Sequence, residues 1–86
     1  MAETNKRDAI ISNKIIKEID IINEFISEMT SENFYDDSKT QRAVSMTLIH
    51  IGELTKSFSE TFRNDNRNIP WKKIQAMRNI AHVSLI

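Results

Sequence analysis

Apolar residues recur at Ile11, Ile15, Ile19, Ile22, Ile26 and Met29. Spacings of three and four place them on one stripe, which predicts a first helix over about residues 4–29, from Thr4 to Met29. Ile10, Ile16, Ile21 and Phe25 widen that stripe, while Lys17, Glu18 and Glu24 mark the wet side. An apolar arc broader than one packing face predicts contact on two sides, one internal and one with another subunit. The helix should stop near Ser31-Glu32-Asn33. Asp36-Asp37-Ser38 then offers N-cap candidates, and Ser38 with Gln41 has capping-box spacing. A second helix is expected from about Lys39 to Phe62, with Val44, Thr47, Leu48, Ile51, Leu54, Thr55, Phe58 and Phe62 on its inner face. Gly52 inside it costs about 1 kcal/mol relative to Ala, which predicts close approach of another backbone or side chain there. The polar run Arg63-Asn64-Asp65-Asn66-Arg67-Asn68 reads as a loop. Ile69 before Pro70 is pushed out of helical geometry, and Pro70 suits the first turn of a third helix that runs nearly to the end.

Composition narrows the fold to all-α. One Gly and one Pro among 86 residues leave no supply of hairpin turns. The length allows one domain, residues 1–86. A chain of this size buries only about 60–65% of its unfolded surface, so self-association is the default expectation. Twelve Lys+Arg balance twelve Asp+Glu, which excludes a general polyanion binder and leaves only a local basic patch for nucleic acid. The charges are unevenly spread. Residues 1–32 carry four basic and seven acidic side chains, 33–62 three and four, and 63–86 five and one, so the C-terminal third is the basic face. The absence of Cys removes disulfides, a thiolate nucleophile and a cysteine zinc site. Charges interrupt every apolar run, so neither a signal peptide nor a membrane span is read, and a cytoplasmic location is expected.

Phosphate loops, dinucleotide folds and nucleophile elbows all need glycines that this chain lacks. His50 and Glu53 stand three apart, a spacing that could hold a metal only with further ligands, so a hydrogen-bonded histidine is expected and no metal or cofactor. Trp71 could stack on a base, although its expected role is to fasten a helix start to the core. Met46 and Met77 read as core filler. The cluster with chemical content is Arg78, Asn79 and His82, with Lys72 and Lys73 nearby as RNA-binding candidates. A fixed cation beside a titratable imidazole suits metal-free RNA cleavage: Arg holds the phosphate and its developing charge, and His moves a proton near neutral pH. On spacing alone, a solvated helix face fits the pair as well.

Three stretches, Gln41-Arg42-Ala43, Ile49-His50-Ile51-Gly52-Glu53 and Ile69-Pro70-Trp71-Lys72-Lys73-Ile74-Gln75-Ala76-Met77-Arg78-Asn79-Ile80, occur in this order. Together they resemble the HepT-like toxins of the HEPN superfamily across most of residues 8–82. The resemblance implies an antiparallel up-and-down helical bundle that forms a homodimer, in which the Arg and His of both subunits meet as a metal-independent endoribonuclease. It also implies a partner, an antitoxin of the minimal nucleotidyltransferase type, which silences related toxins by transferring nucleotide groups to a motif tyrosine. Arg78 matches the motif arginine, Asn79 the polar residue beside it, and His82 the motif histidine. Glu53 would orient Arg78 if the second and third helices pack together, and would otherwise stand in solvent.

The chain departs from the family pattern of Arg, four residues, His, one residue, Tyr. Only Asn79, Ile80 and Ala81 separate Arg78 from His82, and Val83 and Ser84 follow where the tyrosine is expected. One residue fewer turns everything beyond it by about 100° and shifts it about 1.5 Å along a helix. Such a rotation should remove most activity unless the helix end unwinds. Ser84 is a poor substitute acceptor. The family's final helix is also missing, as a frameshift or early stop would leave it, and reading the gene's downstream frames would test that. Exposed apolar surface on the first two helices would then favour dimer contacts or aggregation. Three functional readings therefore stand: a ribonuclease toxin, a catalytically inactive dimerisation and partner-binding module, and a plain helical dimerisation domain.

Overall fold

The computed structural model describes residues 5–85, apart from the side chain of Ser84. Thr4, where the first helix was expected to begin, and Ile86 lie outside the described residues, as does the Ser84 side chain. Among the described residues there are five helices and no strand: α1 Lys6–Ile26, α2 Ser31–Asp36, α3 Ser38–Lys56, α4 Glu60–Asp65 and α5 Trp71–Ser84. The expected all-α class is the observed one. No described helix is long and apolar enough to cross a membrane.

Helix α3 is the central element, with α1 and α5 packed against it and α2 leaning on it. The cross-links run in opposite senses along each pair, so both pairs are antiparallel. Asp8 meets Ser59 just past the end of α3, whereas Glu18 meets His50 further back along it. Likewise Gln75 reaches Thr55, while Arg78, further along α5, lies against Gly52. Ile11, Ile51, Phe58 and Ala81 form the buried apolar core. Thr47 and Thr55 are buried beside them at no unpaired cost, since their hydroxyls donate to Ala43 O and Gly52 O in their own helix.

Short polar side chains set the helix starts. Asn5, Thr30, Asp37 and Ser59 each accept the backbone N–H three residues on. Asp37, rather than Ser38, caps α3. It takes both Thr40 N at 3.0 Å and Thr40 Oγ1 at 2.7 Å, which hold its carboxyl below the ordinary 3.8, the backbone bond being the larger cause. The expected capping box does not form, because Gln41 Nε2 instead donates to Phe34 O at 2.7 Å and Tyr35 O at 2.8 Å, tying α2 to α3. Pro70 occupies the N-cap position of α5, and Trp71 N donates to Ile69 O across it at 2.9 Å.

Four further expectations are corrected. Residues 31–33, read as a helix stop, open the short α2 Ser31–Asp36 under the Thr30 cap. The long second helix is two helices. It breaks after Lys56, where Ser59 N and Ser59 Oγ donate to the Asp8 carboxylate at 2.9 and 2.6 Å, and α4 restarts from the Ser59 cap. Asp8 is only 2% exposed, so this long-range pairing rather than local propensity decides the break. The helical part of α4 takes up Arg63-Asn64-Asp65, so the expected loop is confined to the residues after it. Met46 is 58% exposed and does not fill the core, whereas Met77 is half-buried.

The broad apolar arc of α1 is only partly covered. At about 100° per residue, Ile11, Ile15 and Ile22 share the inner face. Ile10, Ile21 and Phe25 lie to one side of it and Ile16, Ile19 and Ile26 to the other, all exposed.

Candidate functional site

The site is built where α3 and α5 come closest, at Gly52. A Cβ added to Gly52 would lie 2.5 Å from both Cβ and Cγ of Arg78, closer than packed atoms allow. The close approach expected from the sequence is therefore real, and what approaches is the stem of Arg78. Gln75, one turn earlier on α5, locks the register. Its Nε2 donates to Gly52 O at 2.9 Å and Thr55 Oγ1 at 2.8 Å, while the Thr55 hydroxyl donates to the same Gly52 carbonyl at 2.7 Å.

With its stem fixed on Gly52, Arg78 carries its guanidinium to Glu53, where Nη2 and Oε1 are 2.5 Å apart. Nη1 donates to Asn79 Oδ1 at 3.1 Å. Nε is buried and has no acceptor among the described residues. Glu53 is 45% exposed and also stands 3.7 Å from Lys56 Nζ, so its carboxylate bridges two cations. Of the two sequence alternatives for Glu53, the structure shows the one in which it faces Arg78. The arrangement holds a planar, permanently charged group in one orientation, with a carboxylate that a phosphate could displace.

His82 is exposed in the last turn of α5, four residues beyond Arg78. That spacing places it one turn along, about 40° round the helix from Arg78. Glu53, Arg78 and Asn79 are thus in contact, with His82 on the adjoining surface. Lys72 and Lys73 are exposed in the first turn of α5. Helical spacing turns them about 120–140° away from Arg78. Lys73 instead borders a shallow groove of about 420 Å³ with Leu48, Met77 and Ala81.

His50 does not join Glu53. Its Nδ1 lies 3.1 Å from Glu18 Oε1, linking α3 to α1, in keeping with the hydrogen-bonded histidine expected from the sequence. No group of three or more possible metal ligands occurs among the described residues. Trp71 packs edge-on to Phe58 and Phe62 at 5.6 and 6.2 Å, while those two rings stack at 4.3 Å, so the indole fastens the start of α5 to α4.

Sequence reasoning missed Gln75 and Thr55, which fix the register, and Arg63, whose Nη2 donates to Lys56 O at 2.6 Å and Thr55 O at 3.4 Å. None carried a local signal. Gln75 and Arg63 matter through carbonyls near the end of another helix, and Thr55 through the Gln75 amide its hydroxyl accepts.

Three comparisons bear on what this geometry belongs to. Residues 15–82 match the family model described as Ribonuclease HepT-like. A protein of Methanocaldococcus jannaschii named "Putative RNase MJ0127" is 38% identical over 64 residues, 74% of this chain and 53% of that protein. A Thermococcus cleftensis protein named "Probable ribonuclease HepT" is 39% identical over 64 residues, 74% of this chain and 58% of that one. A third, again from M. jannaschii and named "Gamma-glutamylcyclotransferase and putative RNase MJ0434", is 34% identical over 71 residues, 83% of this chain and 32% of that one. The chain thus spans from 32% to 58% of the length of these three relatives. No solved structure matches. A match over residues 15–82 takes in the Gly52–Arg78 contact, Glu53, Asn79 and His82, and the chain belongs to the HepT-like ribonuclease family of HEPN-related proteins.

Proposed function

We propose that the chain, as a single HEPN-like domain over residues 1–86, is a metal-independent endoribonuclease acting as a homodimer. The observation that carries this reading is Arg78, held over Gly52 and oriented by Glu53 and Asn79, with His82 one turn beyond on an exposed surface. Arg78 binds the scissile phosphate and offsets its developing negative charge as the phosphate displaces Glu53. His82 moves a proton to or from an RNA oxygen, and its exposure lets it exchange that proton with solvent. A second subunit brings its own Arg78 and His82 to the same cleft. Lys72 and Lys73, away from the reacting atoms, attract RNA backbone at longer range. In this reading the chain is the toxin of a toxin–antitoxin pair, with a minimal nucleotidyltransferase as antitoxin. The tyrosine that such a partner modifies in related systems has no counterpart after His82, so control by modification there is not part of the proposal.

The second reading, a catalytically inactive dimerisation and partner-binding module, is favoured by one specific feature, the three-residue rather than four-residue spacing between Arg78 and His82. The two separate in single-turnover RNA cleavage in EDTA, run on the parent, on His82→Ala and on a variant with one Ala inserted after Ala81. Cleavage by the parent that vanishes in His82→Ala supports the ribonuclease. Cleavage only after the insertion means that the shortened motif disabled an intact site, and no cleavage by any of the three favours the binding module. Loss of the parent's activity on chelation alone would overturn metal independence.

A further inference from the structure

Beside the Arg78 site lies a small, partly enclosed cavity of about 60 Å³, lined by Thr55, Lys56, Arg63, Trp71 and Gln75. Two of these residues, on different helices, carry buried N–H groups with no acceptor among the described residues: Arg63 Nε and Trp71 Nε1. Both are held in place by other contacts. Arg63 is anchored through Nη2 to the last carbonyls of α3, and the Trp71 ring is wedged against Phe58 and Phe62. Buried donors normally find a partner. The unpaired nitrogens are all donors, two of the lining residues are cations, and no carboxylate lines the cavity. A group that only accepts hydrogen bonds and carries negative charge fits this set better than water, which would also have to donate.

We propose that this cavity is an oxyanion subsite that receives a backbone phosphate of bound RNA, with Arg63 Nε, Trp71 Nε1 and the Lys56 ammonium as its donors. Its place in the fold connects it to the Arg78 site. Gln75 and Thr55 line the cavity and also clamp the Gly52 carbonyl under Arg78. Lys56 shares Glu53 with Arg78. Trp71 precedes Arg78 by seven residues, about 10 Å along α5, a gap that single-stranded RNA crosses in a few nucleotides. This inference rests on the ribonuclease reading for the identity of its ligand, and it gives that reading a second phosphate contact that fixes the strand's direction across Arg78.

Trp71 is the chain's one tryptophan, so its indole N–H gives a single, unambiguous side-chain resonance. The test is an NMR titration of the full chain, with inorganic phosphate in one arm and a 2′-O-methyl oligoribonucleotide, which lacks the free 2′-hydroxyl needed for cleavage, in the other. The indole N–H is expected to move saturably in both, and at lower concentration with the oligonucleotide. Arg63→Lys, which keeps the charge but loses the planar donor, should weaken both by about tenfold. Lys56→Gln, a surface change that leaves the α3 cap in place, should weaken them by about threefold and lower the salt dependence of RNA binding. An indole resonance that moves with neither ligand overturns the subsite, as does parent-like affinity in Lys56→Gln and any folded Arg63→Lys. Movement with inorganic phosphate alone overturns its assignment to RNA. The readout needs no turnover, so a chain that cuts no RNA still shows whether the subsite binds phosphate.

Discussion

At Gly52, helical propensity and packing pull in opposite directions. Ala there would gain about 1 kcal/mol of propensity, but its Cβ would meet the root of the Arg78 side chain at 2.5 Å rather than a flexible tip. Gly52→Ala is therefore expected to be net destabilising by about 1–3 kcal/mol and to displace the guanidinium from Glu53. Urea unfolding checks the first effect and cleavage or RNA binding the second. Glu53→Gln keeps the shape but removes the charge that orients Arg78. It should barely alter stability, because the ion pair is half-exposed, while changing RNA affinity. Tighter binding of uncleavable RNA would show that Glu53 competes with phosphate, and unchanged binding would show that it does not. Asp37 is the residue with a resolved acid–base consequence. Its folded-state carboxyl lies below the ordinary 3.8, so its contribution to the α3 cap is present above that value and is lost as pH falls through the lower folded value. The Thr40 amide resonance should report that loss.

Among the elements, the junction between α3 and α4 depends most on a contact made far away in sequence. Asp8 on α1 accepts both the backbone N–H and the hydroxyl of Ser59, and so closes the gap in which the chain turns from one helix into the next. Asp8→Ala would leave the Ser59 donors inside a buried site without their acceptor. A loss of about 2–3 kcal/mol is expected, with hydrogen exchange rising first in α4 and at the end of α3. A change confined to the first turn of α1 would contradict this role. Helix α5 is set differently, by Gln75 on the Gly52 carbonyl and by Trp71 among the Phe rings, so its angular setting is decided before the chain reaches Arg78. An insertion after Ala81 consequently rotates only His82 and the four residues after it, which is why that variant tests the site and not the fold.

For the molecule as a whole, α1 carries more apolar surface than α3 can cover. Ile10, Ile21 and Phe25 on one flank and Ile16, Ile19 and Ile26 on the other are each 37–55% exposed. Scattered exposed isoleucines are ordinary, but six large apolar side chains on one helix form a surface that water disfavours. Ile21→Lys with Phe25→Lys is expected to shift the chain toward monomer in sedimentation, and to abolish cleavage if two subunits share the cleft. Unchanged association would move the interface to another face. Both positions are exposed in the single chain, so the helical content should be retained.

The sequence by itself determined that the protein is all-helical, because one Gly and one Pro cannot punctuate a sheet. It also located α1 and α5, where three- and four-residue spacings run unbroken, and it set Arg78, Asn79 and His82 together on one helix. Gly52 was legible as a close approach, since a helix interior tolerates glycine only for a reason that lies outside the helix. Tertiary structure decided the rest. The split between α3 and α4 follows from buried Asp8, fifty-one residues from Ser59, and no local pattern carries a contact across that separation. Gln75 and Arg63 gain their roles from carbonyls presented by a neighbouring helix, Thr55 gains its role from the Gln75 amide that α5 brings to it, and Glu53 faces Arg78 only because antiparallel packing aligns the two turns. Local spacing fixes which side chains share a helix face, whereas the pairing of faces between helices depends on burial and on which polar groups must be satisfied when the helices meet.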